Sequence, residues 1–234
     1  MGFEMRALMM RSTMLALLAC TVMAAHADAQ NASPWREGYH YFLVLPPQPT
    51  NLPPGKVEVT EVFSYGCPAC FQFYPIADKL KASLPPNAVM DYMPVAFNVA
   101  EDFPMFQRAY YTAQALGIAD KAHDAMFNAV WSTNELATVD PKSHRLKDPQ
   151  PSIEDAAAFY ARTTGISKDK FLATASSFAV EMKMKRADSL MLAYQADSTP
   201  TIIVNGKFRL TVSSAGGYDQ TIALVNYLVA KEGK

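Results

Sequence analysis

The chain has 234 residues, half of them hydrophobic, which suffices for one large domain or a domain carrying an insertion. Its formal charge is −1, with no long run of one sign. That balance argues against a nucleic-acid binder and against a polybasic protein that adsorbs to membranes.

The first segment reads as a leader rather than as part of a fold. Arg6 and Arg11 make a basic start, Ser12 to Val22 is mostly apolar and short for a bilayer, and both Ala25-His26-Ala27 and Ala27-Asp28-Ala29 fit a small-x-small cleavage site. Residues 1–27 are therefore expected to be a signal peptide, and the mature protein to be exported. Leu17-Leu18-Ala19-Cys20 also resembles a lipoprotein cleavage box. A soluble product is favoured, with a lipid anchor through Cys20 as the alternative.

Tyr39 to Leu45 is aromatic and aliphatic, consistent with a short strand, and the prolines from Pro46 to Pro54 make a stiff connection ended by Gly55. Lys56 to Ser64 is the clearest strand. Its two-residue period puts Val57, Val59, Glu61 and Phe63 on one face, so Glu61 is an acid on an otherwise apolar side. Tyr65-Gly66 breaks the strand. A helix is predicted over Cys67 to Leu84, with Pro68 in the first turn, where its missing N–H costs nothing, and a kink at Pro75. Val89 to Val95 is a second strand.

A helical stretch comes next. Phe103, Phe106, Tyr110 and Ala113 share one face, and Met126, Phe127, Val130 and Trp131 share another. Ile153, Ala156, Ala157, Tyr160 and Ala161 follow helical spacing behind Ser152 as N-cap. Ser177 to Asp197 reads as a longer helix, with Phe178, Met182, Leu190 and Tyr194 inward. These stripes are expected to be core. Leu136 to Pro151 is a polar, proline-bearing loop with no evident purpose. Thr201 to Val204, Asn205-Gly206 and Lys207 to Val212 then form a hairpin signal, and Tyr218 to Lys231 an amphipathic helix.

With Cys20 removed, Cys67 and Cys70 remain, three apart. A bridge closing so small a loop adds little stability, so chemistry explains the pair better than stapling. Disulfide exchange needs an attacking thiolate and a second thiol that resolves the mixed disulfide. At a helix start, Cys67 would lie near free N–H groups and the positive end of the dipole, which lower a thiol pKa; Cys70, one turn in, would face it. A zinc site would need two further ligands, and His40, His123 and His144 show no ligand spacing. They read as surface or packing histidines; neither metal nor cofactor is expected.

Glu61-Val62-Phe63-Ser64-Tyr65-Gly66-Cys67-Pro68-Ala69-Cys70, together with Thr199-Pro200-Thr201-Ile202-Ile203-Val204-Asn205-Gly206-Lys207, resembles the bacterial DsbA family. The resemblance covers about Trp35 to the C-terminus. It implies an α/β protein with a thioredoxin-like fold and an inserted helical domain: thioredoxin-like residues 28–97 and 197–234, and helical residues 98–196. It further implies that Cys67 is the nucleophile and Cys70 the resolving thiol. Glu61 would be the buried acid that moves protons to and from Cys70, Pro200 a cis-proline facing the disulfide, and Thr199 a backbone partner for extended substrate. Pro68 and Ala69 stand where the most oxidising members carry Pro-His. Ala69 cannot donate a hydrogen bond to the thiolate, so a higher Cys67 pKa and weaker oxidising power are expected. The implied partners are reduced, unfolded secreted proteins and a membrane quinone-linked oxidase of the DsbB type, with the protein a monomer. A reductase or disulfide isomerase of the same fold, a glutathione-dependent enzyme, and a non-catalytic chaperone module remain as rival readings.

Overall fold

The computed structural model describes residues 33–50 and 52–233. The predicted leader and Cys20 lie outside them. The chain separates into two units at Arg36/Glu37. Of the first, only residues 33–36 are described, with Ser33 Oγ and the Trp35 backbone exchanging hydrogen bonds. The second unit begins at Glu37 and holds the sheet and every described helix.

Strands β1 (Phe42–Leu43), β2 (Val57–Phe63), β3 (Ala88–Pro94), β4 (Thr201–Val204) and β5 (Phe208–Thr211) form one sheet in the order β1-β5-β4-β2-β3. β2 pairs parallel with β3, placing Glu61 beside Tyr92, and antiparallel with β4, placing Glu61 beside Ile202. β2 is thus flanked on both edges, and almost all of it is buried. Its alternation is therefore less polar than that of a strand with one wet face. Helix α1 (Pro68–Ser83) follows β2. It runs unbroken through Pro75, whose missing N–H forfeits one intrahelical bond.

Between β3 and β4 come α2 (Phe103–Ala115), α3 (Ala119–Trp131), α4 (Ile153–Thr164), α5 (Lys168–Ala175) and α6 (Phe178–Ala193). They form the helical insertion. The chain then closes with β4, β5, a short turn of helix α7 (Val212–Ala215), and α8 (Tyr218–Glu232), which packs against α1. Ser152 caps α4 in a reciprocal box with Asp155, a contribution of about 1 kcal/mol. The Asn205-Gly206 turn has both residues at positive φ, and a Cβ on Gly206 would meet the Gln48 carbonyl oxygen, so only glycine fits there.

One hydrophobic core joins sheet and insertion. Phe63 makes ring contacts with Tyr65, Tyr92, Tyr110, His123 and Phe127. Several elements differ from their sequence expectations. The first strand is only Phe42–Leu43. Val212 begins a helix rather than ending a strand. Helix α6 ends at Ala193; Leu190 packs on the core and Tyr194 is buried as expected, on the side of Val180, Met184 and Ala187, while Phe178 is 78% and Met182 47% exposed. Two positions along a helix rotate a side chain about 200°, so these residues cannot share a face with Val180 and Met184. The polar loop sends Leu136, Ala137 and Thr138 inward and forms an isolated bridge between Val139 and Leu146.

Candidate active site

The strand–turn–helix order puts Cys67 at the N-cap of α1, in extended conformation, with Pro68 as the first helical residue. The turn before it is tied down locally. Cys67 N–H donates to the Ser64 carbonyl (3.1 Å) and Gly66 N–H to Ser64 Oγ (3.2 Å). Cys67 is 8% exposed and Cys70 fully buried one turn deeper; both are free thiols. The Cys67 thiol lies 3.4 Å from the Thr199 carbonyl oxygen, across 132 residues of chain. The Thr199–Pro200 bond is cis, as are Leu45–Pro46 and Asp148–Pro149. Pro200 itself is buried.

The two sulfurs have opposite proton affinities. A hydrogen bond from Cys70 is the main cause that pulls the Cys67 pKa down to about 6; burial opposes it, and the Thr199 side chain and the backbone N–H groups of Cys70 and Ala69 add to the lowering. Burial, and then the proximity of Cys67, push the Cys70 thiol well above the ordinary range. At neutral pH the outer sulfur is an anion and the inner one keeps its proton and donates it. Glu61 is 1% exposed beneath this pair, and its Oε2 has no hydrogen-bond partner. Burial, followed by the charges of Cys67 and Asp78, raises its pKa to about 8. The structure thus brings Glu61, Cys67, Cys70, Thr199 and Pro200 to one place. Ala69 is exposed at the first turn of α1.

Other residues at the site carry no local sequence signal. The Tyr65 hydroxyl shares a hydrogen bond with His123 Nδ1 (2.9 Å), and Trp131 Nε1 donates to the Tyr65 carbonyl (2.8 Å). His123 is buried and its pKa falls to about 4, chiefly through burial, so the ring is neutral. Among the described residues no cluster of three or more His, Cys, Asp or Glu could hold a metal ion.

A thioredoxin-like sheet presenting a stabilised thiolate and a buried partner thiol at a helix N-terminus defines a thiol–disulfide oxidoreductase. The family model described as thioredoxin matches residues 53–223. Among curated proteins, the thiol:disulfide interchange protein DsbA of Pseudomonas aeruginosa is 34% identical over 221 residues, covering 94% of both chains. That of Burkholderia cepacia is 32% identical over 213 residues, covering 91% of this chain and 92% of its own. The chain belongs to the DsbA family of the thioredoxin superfamily. The crystal structure of Pseudomonas aeruginosa DsbA matches with a TM-score of 0.72 at 33% identity, covering 85% of this chain and 94% of that one. A Proteus mirabilis DsbA solved with a non-covalently bound peptide, PWATCDS, matches with a TM-score of 0.67 at 21% identity, covering 85% of this chain and 100% of its own, which speaks to the fold alone.

Proposed function

We propose that this oxidoreductase works as a dithiol oxidase, introducing disulfide bonds into reduced, unfolded secreted proteins. The observation that carries this reading is the Cys67 thiolate, held at the N-terminus of α1 with a pKa near 6. A site that stabilises the reduced form yields its disulfide readily, and so oxidises others.

In the oxidised form Cys67 and Cys70 are bridged. A client thiolate attacks Cys67 Sγ; the client–Cys67 bond forms, the Cys67–Cys70 bond breaks, and Cys70 leaves as a thiolate. Its buried position makes that charge costly, and a protonated Glu61 below it is suited to hand over a proton. A second client thiolate then attacks the client sulfur of the mixed disulfide. The client leaves oxidised, and the electron pair stays on Cys67 as its stabilised thiolate. Two electrons pass from client to protein. A membrane quinone-linked oxidase of the DsbB type would take them up again, in a periplasm reached through the leader at residues 1–27.

The clients of this reading are extended, unfolded segments gripped through backbone pairing. Here Thr199, beside Pro200 and Cys67, offers backbone to such a segment. Two residues before it, Asp197 closes an apolar cleft of about 480 Å³ lined also by Phe97, Leu192 and Ala196. This cleft is suited to an apolar client side chain. The insertion, 98–196, supplies Leu192 and Ala196 of that wall, and residues 28–97 and 197–234 supply the redox centre. The protein is taken to act as a monomer without cofactor.

Equilibration in glutathione buffers tests the direction. A Cys67–Cys70 potential well above that of thioredoxin, about −270 mV, is expected; a value at or below it would make the protein a reductase.

A further inference from the structure

The thioredoxin-like framework supports Cys67 through β2, α1 and the strand after Pro200. The insertion adds another support. Helix α3 crosses the turn ahead of Cys67 and grips Tyr65 at two points, through Trp131 Nε1 on its carbonyl (2.8 Å) and His123 on its hydroxyl (2.9 Å). An indole N–H only donates, so the first bond has one direction. It is not forced by burial of the indole, because Trp131 is partly exposed and water could satisfy it.

The Tyr65–Gly66 peptide is a rigid plane. Its C=O is bonded to Trp131 and its N–H to Ser64 Oγ, so both ends of that plane are fixed. The orientation of this plane sets the path into Cys67, and hence the alignment of Sγ with the Ala69 and Cys70 N–H groups. The same helix also braces the far side of the cysteine pair. The Trp131 ring stacks on Phe71 of α1, with ring centres 6.0 Å apart, and Phe127 stacks on Tyr74 at 5.2 Å. One inserted helix therefore touches the turn before the motif and the helix after it.

We propose that Trp131 is a positioning residue, through which the inserted helix α3 sets the stability of the Cys67 thiolate and with it the oxidising strength of the protein. This rests on the thiolate-based oxidase reading and goes beyond it by making the insertion a determinant of the redox centre as well as a wall for clients. In this proposal Trp131 acts through the Tyr65–Gly66 peptide that it holds.

The test is Trp131→Phe, which keeps an aromatic ring against Phe71 and removes the N–H. The full chain is titrated by the pH dependence of Cys67 alkylation and equilibrated against glutathione. Losing one net hydrogen bond predicts a fall of about two- to ten-fold in the equilibrium constant for oxidation of glutathione, with the Cys67 titration moving upward. Benzothienylalanine at position 131 preserves the indole shape without the N–H and should behave alike, so a folding defect of the phenylalanine variant does not block the measurement. A melting temperature that drops while titration and equilibrium constant stay at wild-type values would reduce Trp131 to packing and overturn the proposal. The wild-type titration judges the oxidase reading, whereas the difference between wild type and variant judges this inference, so each can fail alone.

Discussion

The Cys67 sulfur and the Thr199 carbonyl oxygen, 132 residues apart in sequence, lie 3.4 Å from each other. Client backbone beside Thr199 would therefore reach the sulfur that attacks and is attacked. Reduced protein should react with iodoacetamide at Cys67 with a midpoint near pH 6, and Cys70 should stay unmodified through pH 8. Mass mapping of the alkylated peptide checks both. Modification of Cys70 first would reverse the assignment of nucleophile and resolver.

Ala69 sits exposed in the first turn of α1, one residue before Cys70, and brings no side-chain donor to the Cys67 thiolate. Ala69→His should supply one. A charged hydrogen bond of about 1.5–3 kcal/mol corresponds to a potential raised by about 30–60 mV, with the thiolate titrating lower. Redox equilibration of the two proteins side by side checks this, and an unchanged potential would remove the dipeptide as a control on oxidising strength.

The parts of this architecture legible in the sequence are those written in local pattern. Period-two alternation, the Tyr65-Gly66 break and Pro68 mark the strand–turn–helix that carries the cysteines, and Asn205-Gly206 marks the final hairpin. The approach of Thr199 to Cys67 is legible only through family resemblance, because nothing local links them. At the start of helix α6 the reading takes the wrong side inward because both sides carry apolar residues, Phe178 and Met182 on one, Val180 and Met184 on the other, whereas Leu190 and Tyr194 further along are core as expected. Only the neighbours decide which face is covered. The Tyr65–His123 pair is illegible for the same reason, since its partners are 58 residues apart and each alone is an ordinary core residue.

Glu61 couples the site to pH. Its folded pKa of about 8 lies above the ordinary 4.5, mainly through burial, so the folded protein keeps a proton that the unfolded chain has released. The stability this contributes is complete below about pH 4.5 and is lost as pH rises through about 8. Using oxidised protein removes the Cys67 thiolate and leaves burial as the dominant cause. Between pH 5 and pH 8.5 the wild type should lose on the order of 2–4 kcal/mol relative to Glu61→Gln, which cannot ionise. Urea melts at the two pH values measure the difference. Parallel stability curves for the two proteins would mean that Glu61 is ionised throughout, and would end its proposed role as a proton donor to Cys70.

Gly66 tests how tightly the insertion closes on the turn. A Cβ there would stand 2.7 Å from Phe103 Cε1 and 3.3 Å from Phe106 Cε2, both on α2. The Phe103 ring is 4% exposed and is also packed against Phe97, so it has little room to retreat. Gly66→Ala should cost about 1–3 kcal/mol of overpacking, a drop of several degrees in melting temperature for a chain of this length. Because the strain enters at the residue before Cys67, the loss should be accompanied by slower thiol–disulfide exchange with a cysteine-containing peptide. Phe103→Leu in the same chain should restore part of both, since it vacates the ring edge that the new methyl meets. A destabilised variant that Phe103→Leu fails to rescue would place the strain in the turn backbone instead of in the contact between turn and insertion.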